Sequence, residues 1–179
     1  MFENLRLRVG TSYARFHFRS AGNPVMRFTE AISVAKQPIL FLPEIPEEAA
    51  AADIVLKFFA QRFHSSKVTL VARKEILSRL PDHRLYPLIA FGPDELNAWY
   101  CPGTDLLRKV KKSTFDVAVD LNIRFALPSS FLCRASRAPL RIGFVKPDAD
   151  SFYNFQVQPG PSTNYSQVYT QLLKCLEMF

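Results

Sequence analysis

Four short stretches of this sequence place acids, amides and cations directly behind apolar runs. Residues 43–48 carry Glu44, Glu47 and Glu48, residues 72–75 carry Arg73, residues 120–124 carry Asp120, Asn122 and Arg124, and residues 143–146 end on Lys146. A carboxylate such as Glu47 or Glu48 can take the proton of an acceptor hydroxyl when it stands in a cleft. Glu44, Asp120 and Asn122 can hydrogen-bond hydroxyls, and Arg73, Arg124, Arg141 and Lys146 can meet an acidic group. Each residue also has a plainer role. Glu47 and Glu48 suit the first turn of a helix, where the dipole favours negative charge, and Asp120 can cap a helix or pair with Arg124.

Other chemistries lack their constellations. His17, His64 and His83 share no ligand spacing with Cys101, Cys133 and Cys175 or with one another, so no metal site is expected. No GxGxxG, GxxxxGK[ST] or GxSxG occurs, which removes the usual signatures of dinucleotide binding, P-loop chemistry and serine hydrolysis, and no cofactor is expected. Three widely spaced cysteines form no disulfide framework and read as reduced, mostly buried thiols. Without a secretory pattern or an apolar run long enough to span a bilayer, the expected location is the cytoplasm.

The net charge is +7, and Arg6, Arg8, Arg15, Arg19 and Arg27 follow Glu3 with no carboxylate before Glu30. Such a field favours anionic partners without naming one. The segment Tyr13, Arg15, Phe16, His17, Phe18, Arg19 mixes aromatic and basic residues as a nucleic-acid surface does. The same alternation describes an amphipathic strand, and that reading is preferred. Arg108, Lys109, Lys111 and Lys112 can meet phosphates or form a solvated helix face. Arg134, Arg137 and Arg141 follow the same logic.

These side chains must be positioned by a framework, and 179 residues that are 48% apolar suffice for one core. Residues 1–37 read as a basic extension in which Leu5, Leu7 and Val9 alternate with Arg6 and Arg8 like a half-buried strand, followed by a short helix over 27–36. The main domain, 38–179, opens with a buried strand at Ile39-Leu40-Phe41-Leu42. Pro46 then starts a helix to about Phe63 with Ile54, Val55, Phe58, Phe59 and Phe63 on one face. Strands at 67–72, 88–91, 115–121 and 140–144 alternate with helices at 104–112, 124–137 and 165–178. This alternation predicts a three-layer, Rossmann-like α/β sandwich with a mainly parallel sheet, whose ligands bind beyond the carboxyl ends of the strands.

Residues 39–48, leading through an Ala-rich helix to Lys67-Val68-Thr69-Leu70-Val71-Ala72-Arg73, and the pair Phe115–Leu121 and Leu140-Arg141-Ile142-Gly143-Phe144 together resemble the N-terminal, acceptor-side half of heptosyltransferase-type (family 9, GT-B) glycosyltransferases. The resemblance covers about residues 38–145. It implies a place in bacterial cell-envelope glycolipid assembly and a strand-end site for an anionic saccharide or glycolipid precursor. In that family the loop opening the first helix carries a Gly-Asp pair whose Asp is taken as the general base; Glu47-Glu48 stand there in this chain, without the Gly. The family's second domain binds the nucleotide-sugar donor, and this chain ends where that domain would begin. The expectation is therefore a stand-alone acceptor-type domain that binds rather than transfers. The alternatives are a half-enzyme completed by a protein partner or a homodimer, and a nucleic-acid-binding module using the basic N-terminal segment.

Overall fold

A computed structural model describes residues 2–24, 30–79, 83–160 and 164–178. Six strands, β1 (Pro38–Phe41), β2 (Thr69–Arg73), β3 (Leu88–Phe91), β4 (Val117–Asp120), β5 (Leu140–Phe144) and β6 (Phe155–Val157), form one sheet in the order β3-β2-β1-β4-β5-β6. Every neighbouring pair is parallel, as strand–helix–strand crossovers require. The order reverses between β1 and β4, and a doubly wound sheet opens a crevice at such a reversal.

The two faces of β1 show how the sequence fills both layers. Leu40 faces a cluster with Val55, Phe59, Leu70, Val119, Ile142 and Tyr169. Ile39 and Phe41 face the other way, onto Leu106, Ala118, Phe131, Leu132 and Phe152. Helices α2 (Pro46–Ala51), α3 (Asp53–Phe63) and α6 (Tyr165–Leu176) cover the first face, whereas α1 (Phe2–Phe18), α4 (Thr104–Lys111) and α5 (Leu127–Ala135) cover the second. With every strand of the centre buried on both sides, continuous apolar runs are the expected pattern.

Three local expectations change. The leader forms α1 rather than a strand: Gly10, Thr11 and Ala14 are buried, with Leu7 and Phe18 partly buried, and these positions follow a helical period. Gly10 is required there, because a Cβ would overlap the Trp99 carbonyl oxygen and lie 2.8 Å from Leu127 Cδ2. The solvent side of α1 exposes Phe2, Leu5, Val9, Tyr13 and Phe16. The helix expected from Pro46 to Phe63 is interrupted at Ala52, and its buried face is Val55, Leu56, Phe59 and Phe63, with Ile54 turned to solvent. Of the expected helix over 27–36, residues 27–29 lie outside the described residues, and from Glu30 the chain makes a turn closed by Val34 N–H to Glu30 O at 3.1 Å.

Candidate functional site

The loops after β1 and β4 are locked together at the reversal of strand order. Asn122 is the clasp. Its Oδ1 accepts from the Glu44 N–H at 2.9 Å, while its Nδ2 donates to Leu42 O at 3.3 Å and to Asp120 Oδ1 at 2.7 Å. The Asn122 N–H also donates to Asp120 Oδ1 at 3.0 Å, an Asx-type closure that ends β4.

Asp120 is wholly buried at the last position of β4. Its second oxygen, Oδ2, accepts from the Tyr153 hydroxyl and from Lys146 Nζ at 3.3 Å. Lys146 reaches in from beyond β5, also donating to Asn122 O at 2.6 Å and Arg124 O at 3.5 Å, and lies 5.1 Å from the centre of the Tyr153 ring. Ser130 shares a 2.7 Å hydrogen bond with the Tyr153 hydroxyl. Burial, followed by the charge of Asp120, raises the Tyr153 hydroxyl far above the ordinary phenol range, so Tyr153 is a fixed donor.

Two carboxylates remain incompletely matched. Glu44 Oε2 meets Arg73 Nη1 at 3.3 Å, and Arg73 Nε meets Glu75 at 3.4 Å. Glu48 Oε2 accepts from the Ile123 N–H at 3.4 Å. Oε1 of each glutamate is buried without a hydrogen-bond partner among the described residues. Burial outweighs Arg73 at Glu44, and outweighs the Ile123 N–H, Arg124 and Lys146 at Glu48, so both carboxyls are raised above the ordinary range. Such oxygens can accept from a ligand hydroxyl. A cavity of about 430 Å³ opens beside Arg73, lined also by Arg6, Ala98 and Tyr100.

Thus Glu44, Glu48, Arg73, Asp120, Asn122 and Lys146 are gathered at the strand ends. Glu47 is exposed on the outer side of α2, and the Arg124 side chain is exposed while its carbonyl serves Lys146. Asp120 pairs with Lys146 rather than Arg124, because Lys146 arrives from β5 directly over it. Arg141 is not part of this group. As the second residue of β5 it lies at the opposite end of the sheet, where its guanidinium donates to Ala138 O and Phe152 O at 2.6 and 3.1 Å. Tyr153 and Ser130 escaped the sequence reading, since Tyr153 lies in an irregular segment before β6 with no periodic signal. Among the described residues no group of three or more His, Cys, Asp or Glu is placed to hold a metal. No helix among them is long and apolar enough to cross a membrane.

No family model matches the chain, and no curated protein matches it by sequence. Solved structures match by fold. The glycosyl transferase family 9 protein of Veillonella parvula superposes with a TM-score of 0.64 at 13% identity, over 87% of this chain and 44% of that one. The Escherichia coli heptosyltransferase WaaC with ADP-2-deoxy-2-fluoro heptose gives 0.61 at 14% identity, over 78% and 47%. The Escherichia coli ADP-heptose lipopolysaccharide heptosyltransferase II gives 0.50 at 13% identity, over 74% and 40%. The chain therefore spans less than half the length of these proteins, and its all-parallel six-stranded unit is similar in fold to part of the family 9 glycosyltransferases, the heptosyltransferases among them.

Proposed function

We propose that the crevice between β1 and β4 binds a saccharide carrying an acidic group, as an acceptor-type domain of the heptosyltransferase kind. The reading rests on one observation above all: Glu44 and Glu48 each hold a buried oxygen at the strand ends that has no partner among the described residues. Sugar hydroxyls are donors of the kind these oxygens lack, and the nearby Arg73 supplies a cation for an acidic substituent. WaaC was solved with ADP-2-deoxy-2-fluoro heptose, which fits a sugar-handling role for this fold. Glu48 rather than Glu47 is the carboxylate to which we assign contact with the ligand. Asp120 is fully committed to Lys146, Tyr153 and Asn122, so it holds the loops in place rather than meeting the ligand.

Thermal stabilisation by phosphorylated core oligosaccharides, nucleotide sugars and short single-stranded DNA tests this, since a ligand of the folded state raises the melting temperature. A shift with the acidic oligosaccharide that disappears in Glu48→Gln is expected. A shift with nucleotide sugars alone would replace binding with a donor-using enzyme, and one with DNA alone would favour the nucleic-acid alternative.

A second reading, a half-enzyme completed by another copy of this chain, draws support from the exposed apolar stripe of α1. Phe2 and Leu5 lie at the helix end where Arg6 donates to Ala98 O and lines the cavity beside Arg73. Exposed apolar stripes of this length mark association surfaces. Sedimentation velocity decides it: a monomer at all concentrations removes this reading, and a dimer dispersed by Leu5→Glu sustains it.

A further inference from the structure

At the amino-terminal end of the sheet, opposite the strand-end site, α4 and α5 both terminate and β5 begins. A cavity of about 270 Å³ lies there, walled by Lys111, Arg134, Arg137 and Arg141 together with Phe18 and Ala135. Among the described residues, four cations and no carboxylate line it. Lys111 and Arg137 are exposed, whereas Arg134 and Arg141 are only 9% and 2% exposed.

The two buried guanidiniums converge on a single neutral oxygen. Arg134 Nη1 donates to Asn23 Oδ1 at 2.9 Å, and Arg141 Nη2 donates to the same atom. Their remaining acceptors, Ala21 O for Arg134, and Ala138 O and Phe152 O for Arg141, are backbone carbonyls. Arg134 Nε is buried with no acceptor among the described residues. Among the described residues no carboxylate forms an ion pair with any of the four cations. Burial, with the charge of Arg134 behind it, brings Arg141 down to about 10, and burial lowers Arg134 as well. Buried charges are ordinarily paired, and a like-charged pair sharing one neutral acceptor is the arrangement that an incoming anion relieves.

We propose that this cavity is a binding site for the phosphate group of a small phosphomonoester. A phosphate carries close to two negative charges and several acceptor oxygens, enough to meet the Arg134 Nε–H and the fork geometry of two guanidiniums, whereas a lone carboxylate carries one charge. The volume is at the small end for ligand cavities, which limits the organic part to about the size of one sugar. Phe18 and Ala135 offer that part an apolar wall.

Isothermal titration calorimetry with inorganic phosphate and with glucose 6-phosphate tests the site on the intact chain. Saturable binding of one or both is expected, weakened about tenfold or more in Arg137→Ala/Lys111→Ala, since each lost contact to a charged group costs affinity of that order. Both substituted residues are exposed, and an unchanged melting temperature confirms that the variant remains folded. Tighter binding of glucose 6-phosphate assigns the site to an organic phosphate; equal binding assigns it to free phosphate, and either supports the proposal. No saturable heat up to on the order of 10 mM, or equal affinity in the variant, overturns it. The strand-end residues lie at the opposite, carboxyl end of the strands, so either result leaves the saccharide reading to its own experiment.

Discussion

Lys146 Nζ stands 3.3 Å from Asp120 Oδ2 with its side chain 3% exposed and that of Asp120 0% exposed. An ion pair so deep owes its existence to complete hydrogen bonding, and this one has it: Tyr153, Asn122 and two backbone carbonyls take up the remaining capacity of both groups. Removing one partner leaves the other charge buried and unmatched. Lys146→Met should therefore cost about 3 to 5 kcal/mol in urea unfolding. Asp120→Asn/Lys146→Met, which removes both charges and keeps an acceptor for Tyr153, should recover a substantial part. Equal stability of the two variants would show that the pair is not the source of the loss.

Glu48 carries the opposite imbalance. The residue is 1% exposed, one carboxyl oxygen has no partner among the described residues, and burial raises its pKa in the folded state. A carboxyl raised on folding is most favourable when protonated, so its contribution is present at low pH and is lost as pH rises through the raised folded value. Glu48→Gln should stabilise the protein by about 1 kcal/mol at pH 7, and the advantage should shrink as the pH is lowered through that range. Guanidinium unfolding at pH 7 and pH 5 reads this directly. A stabilised variant that also loses saccharide binding would mark Glu48 as a functional residue held at a cost to the fold.

The strand ends were legible in the sequence because parallel strands advertise themselves as apolar runs. Residues 88–91 and 140–144 fall where the pattern puts them, and the acids and amides just beyond the strands meet as the topology requires. Arg141 misled because an apolar strand does not tell which of its ends a polar residue serves. The leader misled for a different reason: its helical signal resides in Gly10, Thr11 and Ala14, small residues that weigh little on a hydropathy scale, while Leu5 and Val9 sit on the exposed side. Tyr153 could not be found from spacing, since its role depends on β5 and β6 bringing an irregular segment under Asp120.

Gly143 lies against that same segment. A Cβ built there would come within 2.8 to 2.9 Å of three ring carbons of Tyr153, closer than side chains pack. Gly143→Ala should push the ring away from Asp120 and cost about 1 to 3 kcal/mol, the usual range for overpacking. If Tyr153→Phe costs less than Gly143→Ala in thermal unfolding, ring displacement rather than the lost hydroxyl carries the effect.

The docking of α1 depends on the approach of its Gly10 to the backbone at Trp99, the single tryptophan of the chain. Gly10→Ala cannot be absorbed by a rotamer change, because the obstacle is a backbone carbonyl. The helix must shift or leave, with loss of the Arg6 contact to the Tyr100 ring now seen at 4.6 Å. The expected outcome is a changed Trp99 emission and faster proteolysis after Arg6, Arg8 and Arg15 while the sheet stays folded; unchanged emission and proteolysis would mean that α1 is not held at Gly10.

The cysteines give the last prediction. Cys101 and Cys133 are buried, and Cys175 is partly accessible on α6. Burial raises the Cys101 thiol to about 11, and burial together with Asp120 raises Cys133 further. Thiolate is the reacting form, so both should resist a thiol reagent at pH 8. Titration with 5,5′-dithiobis(2-nitrobenzoic acid) should release one equivalent rapidly from the folded protein and the full complement of three only after denaturation. Fast reaction of two or more thiols in the native state would mean that the layer of α4 and α5 over the sheet opens far more readily than its packing against Ile39, Phe41 and Ala118 implies.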